Sequence, residues 1–293
     1  SAECASSPVP SLKQIKRRIA SVKSTQQITR AMKMVAAARL RRAQENIIKA
    51  RPYSLKLRQV IRDLAARTDR SLHPLLDLRE VHNVGIVVVT GDRGLCGSFN
   101  TNILRQAEKV MQEEAGKRIF LITVGRKGTE FFTRRNFDIV GSLSNFFNEL
   151  HFSHAAELGE IIVSRYRQQG MDRVYLVYNE FKSAIQQFVV LEQLLPIVPE
   201  EFEVGESRTD LIFEPSASQI LDTILPQHVN VQLWRVLLES YAAEMGARMT
   251  AMENATENAA ELIDTLTLHY NKARQAAITK ELLEVVSGAE SLK

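Results

Sequence analysis

Cysteine, acid-rich motifs and long apolar runs are all scarce in this sequence. Of 293 residues only Cys4 and Cys96 are cysteines, one in the N-terminal stretch and one among glycines. That excludes a disulfide framework or a cysteine-built metal site and points to a reducing compartment. No window approaches 18 uninterrupted apolar residues, the longest strand-like run being VGIVVV, so a membrane-spanning helix is not expected and any membrane role would be peripheral. The six histidines are scattered, and His151 and His154, though three apart, lack an HExxH pattern or a cysteine partner. Paired carboxylates, a triad order and metal-ligand spacing are missing too, so nothing supports an autonomous enzyme. The opening SAECASSPVP lacks the basic start and apolar stretch of a secretory signal, and residues 1–10 are expected to be a disordered tail outside the fold.

What is present is a charge asymmetry hidden beneath a formal net charge of +4. Between Ser11 and Arg67 stand 16 Lys and Arg against 2 acids, whereas Ala217 to Lys293 carries 6 basic and 10 acidic residues. The two ends of the chain are of opposite sign.

Residues 11–67 contain no glycine and one proline, with apolar residues at Leu12, Ile15, Ile19, Val22, Ile28, Met32, Val35, Leu57, Ile61 and Leu64. Spacings of three and four over this length predict a long helix with a narrow apolar seam, N-capped by Ser11. Roughly 55 residues would reach about 80 Å, which requires a partner. A second helix supplies one. After a short helix at 217–225, Pro226 permits a fresh start, and Trp234, Leu238, Tyr241, Met245, Met249, Met252, Ala259, Leu262, Leu266, Tyr270 and Ala273 recur at heptad-like steps, with fraying expected after Val286.

Between the two rods VGIVVVT (84–90), RIFLITV (118–124), FDIVGSL (137–143), DRVYLVYNEF (172–181) and QFVVLEQLLPI (187–197) read as strands. Segments 102–115, 126–135 and 153–169 read as helices. The alternation predicts an open, at least partly parallel α/β sheet of Rossmann-like type. The expected architecture is therefore α/β: an antiparallel coiled coil of N- and C-terminal helices (11–67 and 207–293) with a sheet domain (68–206) inserted between them. EEFEVGESRTD (200–210) reads as a polar linker.

The stretch TGDRGLCGSFNTN (90–102) lies where α/β folds bind phosphates, after a strand and before a helix. It matches neither GxGxxG nor GxxxxGK[ST], and no acid near the end of the next strand could hold a ribose, so no nucleotide or other cofactor is expected. Cys96 lacks an activating histidine in sequence and reads as a small buried thiol. The basic first helix could face nucleic acid, but it has no base-stacking aromatic from Ser11 to Pro52, and a solvated or protein-facing cationic surface is the preferred reading. STQQITRAMKMVAAARLRRAQENI (24–47) and MGARMTAMENATENAAELI (245–263) place Met, Ala, Thr and Asn where coiled coils usually carry Leu or Ile. Close helix approach explains this, and so does an outer surface that lies inside another protein without sticking. The residues alone do not choose.

Four ordered stretches carry a resemblance: SVKSTQQITRAMKMVAAARLRRAQ, DRGLCGSFN, ARMTAMENAT and YNKARQAAITKELLEVVSGA. From about Ser11 to Leu292 the chain resembles the gamma subunits of F-type ATP synthases. The resemblance implies a non-catalytic rotor shaft within a ring of alpha and beta subunits, its α/β domain against the epsilon subunit and the c-subunit ring, without nucleic acid, metal or cofactor of its own. It also implies a peripheral protein on the cytoplasmic face of a bacterial plasma membrane. Matched residue by residue, Met32 takes the place of a methionine whose replacement by a cation impairs coupling. Arg248, Gln275, Thr279 and Glu281 match positions that interact functionally with that contact, Arg274 with Gln275 matches a pair engaging a catch loop of an empty beta subunit, and Lys33 is a further interface residue. Photosynthetic members carry a longer regulatory insertion, in plastids with a redox-active cysteine pair. Here LLPIVPEEFEVGESRTDLIFEP is short and cysteine-free, so thiol control is not expected.

Overall fold

The computed structural model describes residues 11–65, 73–168, 170–183, 186–198 and 217–290. The expected tail at 1–10, the linker at 200–210 and the last three residues lie outside the described residues, as does the side chain of Leu64. Two compact units are formed, one from the chain up to Val35 together with Ala251 onward, the other from Ala36–Thr250.

In the larger unit five strands form one sheet. The elements are β1 (Asn83–Val89), α2 (Phe99–Glu113), β2 (Arg118–Val124), α3 (Arg126–Thr133), β3 (Ile139–Leu143), α4 (Phe152–Arg167), β4 (Arg173–Phe181) and β5 (Gln187–Leu195). The order is β3-β2-β1-β4-β5, with β1 to β4 parallel and β5 antiparallel to β4. The near-continuous β-branched run of β1 suits its central place, since Val84 to Val89 are buried on both faces apart from the glycine's missing side chain. Val84, Ile86 and Val88 pack against Ile103, Ala107 and Val110 of α2 and Phe132 of α3. Val87 and Val89 face the other way, toward Leu158, Ile162 and Tyr166 of α4.

On that second face lie parts of two long helices, α1 (Leu12–Ala65) and α5 (Ala217–Glu290). Within the larger unit α1 contributes Leu57 and Ile61, and α5 contributes Leu221, Leu225, Val229, Leu233 and Leu237. Leu40 and Ala43 meet Ala242 and Met245, so the two segments run antiparallel. The expected break at Pro226 is corrected: α5 passes through it without interruption. A proline there forfeits one backbone bond to the preceding turn. Leu225 and Val229 on either side are fully buried, and their packing holds the helix together.

In the smaller unit α1 begins with a reciprocal cap, the Ser11 hydroxyl accepting from the Gln14 N–H (3.3 Å) and the Gln14 side chain from the Ser11 N–H (2.9 Å). A stripe of shielded positions runs through Leu12, Ile15, Ile19, Val22, Gln26, Thr29 and Lys33 at alternating steps of three and four, with the half-buried Met32 beside it. On α5 a matching stripe runs through Met252, Thr256, Ala259, Ile263, Leu266, Tyr270, Ala273 and Ala277 with the same alternation, flanked near its start by the half-buried Ala251, Glu253, Ala255 and Ala260. This is the 3.5-residue repeat of a coiled coil. The anticipated seam is corrected at two places: Ile28 and Val35 point outward, 57% and 54% exposed, while Thr29 turns inward. Leu262, also expected on the stripe of α5, is 40% exposed.

Candidate functional site

The crevice at the C-terminal ends of β1 and β4, where strand order reverses, is the place an open α/β sheet would hold a nucleotide. Here it is filled by the protein itself. The side-chain oxygen of Asn100 accepts the Gly91 N–H at 2.9 Å, and Asp92 accepts the N–H groups of Arg126 (2.9 Å) and Asn145 (3.0 Å). From α5, Glu244 closes over the loop: a Cβ on Gly91 would lie 2.8 Å from its carboxyl carbon, so a side chain there would push the carboxyl group aside. Arg248 donates to Glu244 at 2.6 Å and to the Gly94 carbonyl at 3.3 Å. Burial raises the Glu244 carboxyl above its ordinary range against the pull of Arg248. A carboxylate against the loop and donors already spoken for make a poor phosphate cradle. What the loop does instead is grip α5.

Cys96 is buried, accepting from the Asn100 amide at 3.3 Å, and burial followed by the nearby Glu244 pushes its thiol up. That is the opposite of an activated nucleophile. Opposite the loop, Gly125 at φ 88° opens α3 where a Cβ would fall 2.0 Å from the Thr90 carbonyl oxygen.

Of the seven residues singled out by resemblance, the structure gathers no single site. In the smaller unit Met32 is half-buried and Lys33 forms an ion pair with Glu253, their side chains 38% and 42% exposed. One turn away the hydroxyls of Thr29 and Thr256 meet at 2.8 Å. Arg274, Gln275, Thr279 and Glu281 are exposed, and the Thr279 hydroxyl donates to the Gln275 carbonyl at 2.9 Å. They lie at least 21 residues beyond Glu253 on the same helix, about 30 Å along it. Arg248 belongs to the larger unit and is spent on Glu244 and Gly94.

Several residues of this arrangement escaped the sequence reading. Glu244 had a signal, an acid four residues before an arginine within AAEMGAR, a stretch otherwise of small and apolar residues. Thr29 and Thr256 had a weaker one, a polar residue falling on a heptad position, and Glu253, one residue off the stripe, had none. Past Ala277 the seam ends. Residues 278–289 are all exposed, including Ile278, Leu282, Val285 and Val286. No described helix is long and apolar enough to cross a membrane, and no cluster of three or more described metal-ligand side chains is present.

A family profile described as ATP synthase matches residues 11–292. The ATP synthase gamma chain of Chlorobaculum tepidum is 50% identical over 291 residues, spanning 97% of this chain and 100% of that one. That of Geobacter metallireducens is 52% identical over 285 residues, spanning 97% and 99%. Among solved structures, a chain from the central stalk and c ring of the Tetrahymena thermophila mitochondrial ATP synthase is similar at a TM-score of 0.61 and 26% identity, covering 78% of this chain and 99% of that one. A chain from the OSCP/F1/c-ring assembly of the Euglena gracilis mitochondrial enzyme, in rotational state 3, gives a TM-score of 0.71 with 96% and 94% covered; at 22% identity it speaks for the fold.

Proposed function

This chain belongs to the ATP synthase gamma chain family, and we propose that it turns as the central shaft of a proton-translocating F-type enzyme. In this reading rotation of a membrane c ring is carried by the chain into a ring of alpha and beta subunits, whose catalytic sites change conformation in turn. The chain itself does no chemistry, and it sits as a peripheral protein on the cytoplasmic face of a bacterial membrane with the epsilon subunit beside it. The expected division into a tail, two shaft helices and an inserted domain is kept as part of this proposal.

The observation that carries the reading is the end of α5. A helix that runs twelve exposed residues past its own seam, with Ile278, Leu282, Val285 and Val286 bare, needs a protein sleeve around it. The outer face of α1 is not free of bulk, as Ile28, Met34 and Val35 are exposed there. They share that face with the exposed cations Lys23 and Arg30, so contacts with a sleeve would be mixed and exchangeable instead of pooled in one apolar anchoring patch. Lys33, Arg248, Arg274, Gln275, Thr279 and Glu281 are proposed to act at or through this contact with the ring.

The test is rotation. Alpha and beta chains from the same source are assembled with this chain, a bead is fixed to an exposed cysteine introduced at Thr133, and ATP is supplied. Steady one-way turning of the bead is expected; hydrolysis with a motionless bead would overturn the proposal. Met32→Lys sets a second cation beside the Lys33–Glu253 pair, and in vesicles it should sharply reduce proton pumping while leaving most ATP hydrolysis.

A further inference from the structure

We propose that a cavity in the larger unit, between residues 47–54 of α1, 231–239 of α5 and the start of α4, binds a small aromatic organic cation, with Glu239 as its counter-charge. The cavity has a volume of about 340 Å³, within the span typical of small-molecule sites. Val231 and Leu238, both buried, form its floor, and Tyr53, Phe152 and Trp234 its walls. Phe152 meets Trp234 edge-on with ring centroids 6.0 Å apart, and it remains 45% exposed, as Tyr53 remains 57% exposed. Aromatic faces on one side and a carboxylate on the other are what a desolvated organic cation requires.

The charge comes from an uneven ion network. Arg235 places one guanidinium nitrogen on both oxygens of Glu192, at 2.6 and 2.7 Å, and donates to Gln232 (2.9 Å) and the Tyr178 hydroxyl (3.0 Å). Tyr178 in turn donates to Glu192 at 2.8 Å. Glu239 is left with Arg235 at 3.4 Å from each oxygen, although its side chain is only 15% exposed. Burial pushes its carboxyl above the ordinary range; Arg235 opposes this, while Glu180 and Glu192 add to it. Glu239 is thus a largely shielded acid at an apolar cavity, and its ion pair with Arg235, which also lines the cavity, is the looser of the two that Arg235 makes. The other cation at the cavity, Arg51, is exposed on its rim, where water and salt screen it. A quaternary ammonium suits this arrangement particularly well, because it brings charge without N–H groups that the apolar walls could not satisfy.

Trp234 is the sole tryptophan of the sequence, so its emission reports on the cavity directly. The full-length chain is titrated with trimethyl(4-phenylbenzyl)ammonium and with the neutral neopentyl analogue of the same shape, exciting Trp234 selectively and checking the heats by calorimetry. The cation should give a saturable change and bind about tenfold tighter than the neutral analogue. Glu239→Gln should erase that difference, Arg51→Gln should widen it, and Phe152→Ala, at a partly exposed site, should weaken both ligands. A circular dichroism spectrum matching the parent certifies each variant. No saturable change, equal binding of the two ligands, or a folded Phe152→Ala variant with unchanged affinities would overturn the proposal.

Discussion

The helix segments of the two units differ in how much they bury. In the smaller unit, formed by residues up to 35 and from 251 onward, only Ile15, Thr29, Met252 and Ala259 among the described residues are well buried, and the middle of the seam is polar. In the larger unit α5 alone buries Leu221, Leu225, Val229, Leu233, Val236 and Leu237 against a sheet and a further helix. One segment is held from several sides and the other from one. Opening free energy follows buried contacts, so the smaller unit is the part that opens first. Stiffness in that region has to come from backbone bonds and from whatever surrounds it.

The contrast is broken most sharply by paired truncations. Leu233→Ala, at a fully buried site, should cost about 3 kcal/mol in the denaturant midpoint, and Leu266→Ala, on the half-shielded seam, about 1 kcal/mol. Equal costs would mean that the two regions unfold as one.

Next comes a proton. His228 in the larger unit is 9% exposed with its Nδ1 unpartnered, and burial, then Arg58 and Arg235, lower its pKa to about 4. Unfolding lets it bind a proton at the ordinary value near 6.5, so stability is full above that pH and is lost as pH falls toward 4. The loss should approach about 3 kcal/mol, and His228→Gln should flatten that slope while the opposing trends of Glu239 and Glu244 persist.

Smaller effects probe the polar level of the seam. Thr29 donates to the Gln26 carbonyl at 3.0 Å and Thr256 to that of Met252 at 2.7 Å, yet each hydroxyl has one proton, so one must leave its backbone partner to bridge the 2.8 Å between them. Thr29→Val should cost about 1 kcal/mol, and the double change to valine less than the sum of the two singles, in a thermal double-mutant cycle. The Lys33–Glu253 pair, both partners about two-fifths exposed, should contribute only about 0.5 kcal/mol and fade as salt is added.

Much of this was legible in sequence, for identifiable reasons. The strands announced themselves because a parallel sheet covered on both faces demands unbroken apolar runs, as in VGIVVV. The long helices were visible from spacing and from the lack of glycine. The inner face of α1 departs from the apolar spacing at Ile28 and Val35, because bulk alone does not mark the buried side of a close helix pair. A close helix pair instead puts Thr29 and Ala36 inside, leaving bulk for the exterior. The heptad count, kept strictly, would have found this. At Pro226 the local helix-breaking tendency is outweighed by the burial of Leu225 and Val229, which no short window of sequence reveals. Glu244 over the glycine loop joins residues more than 150 positions apart, and no local pattern encodes such a meeting.

The bare end of α5 sets a condition on supply. A helix end carrying Ile278, Leu282, Leu283, Val285 and Val286 in water will find another copy of itself if nothing else is offered, and encounters between copies grow with the square of concentration. Synthesis of this chain must therefore be matched in amount and timing to that of whatever covers it, so that capture outruns self-association.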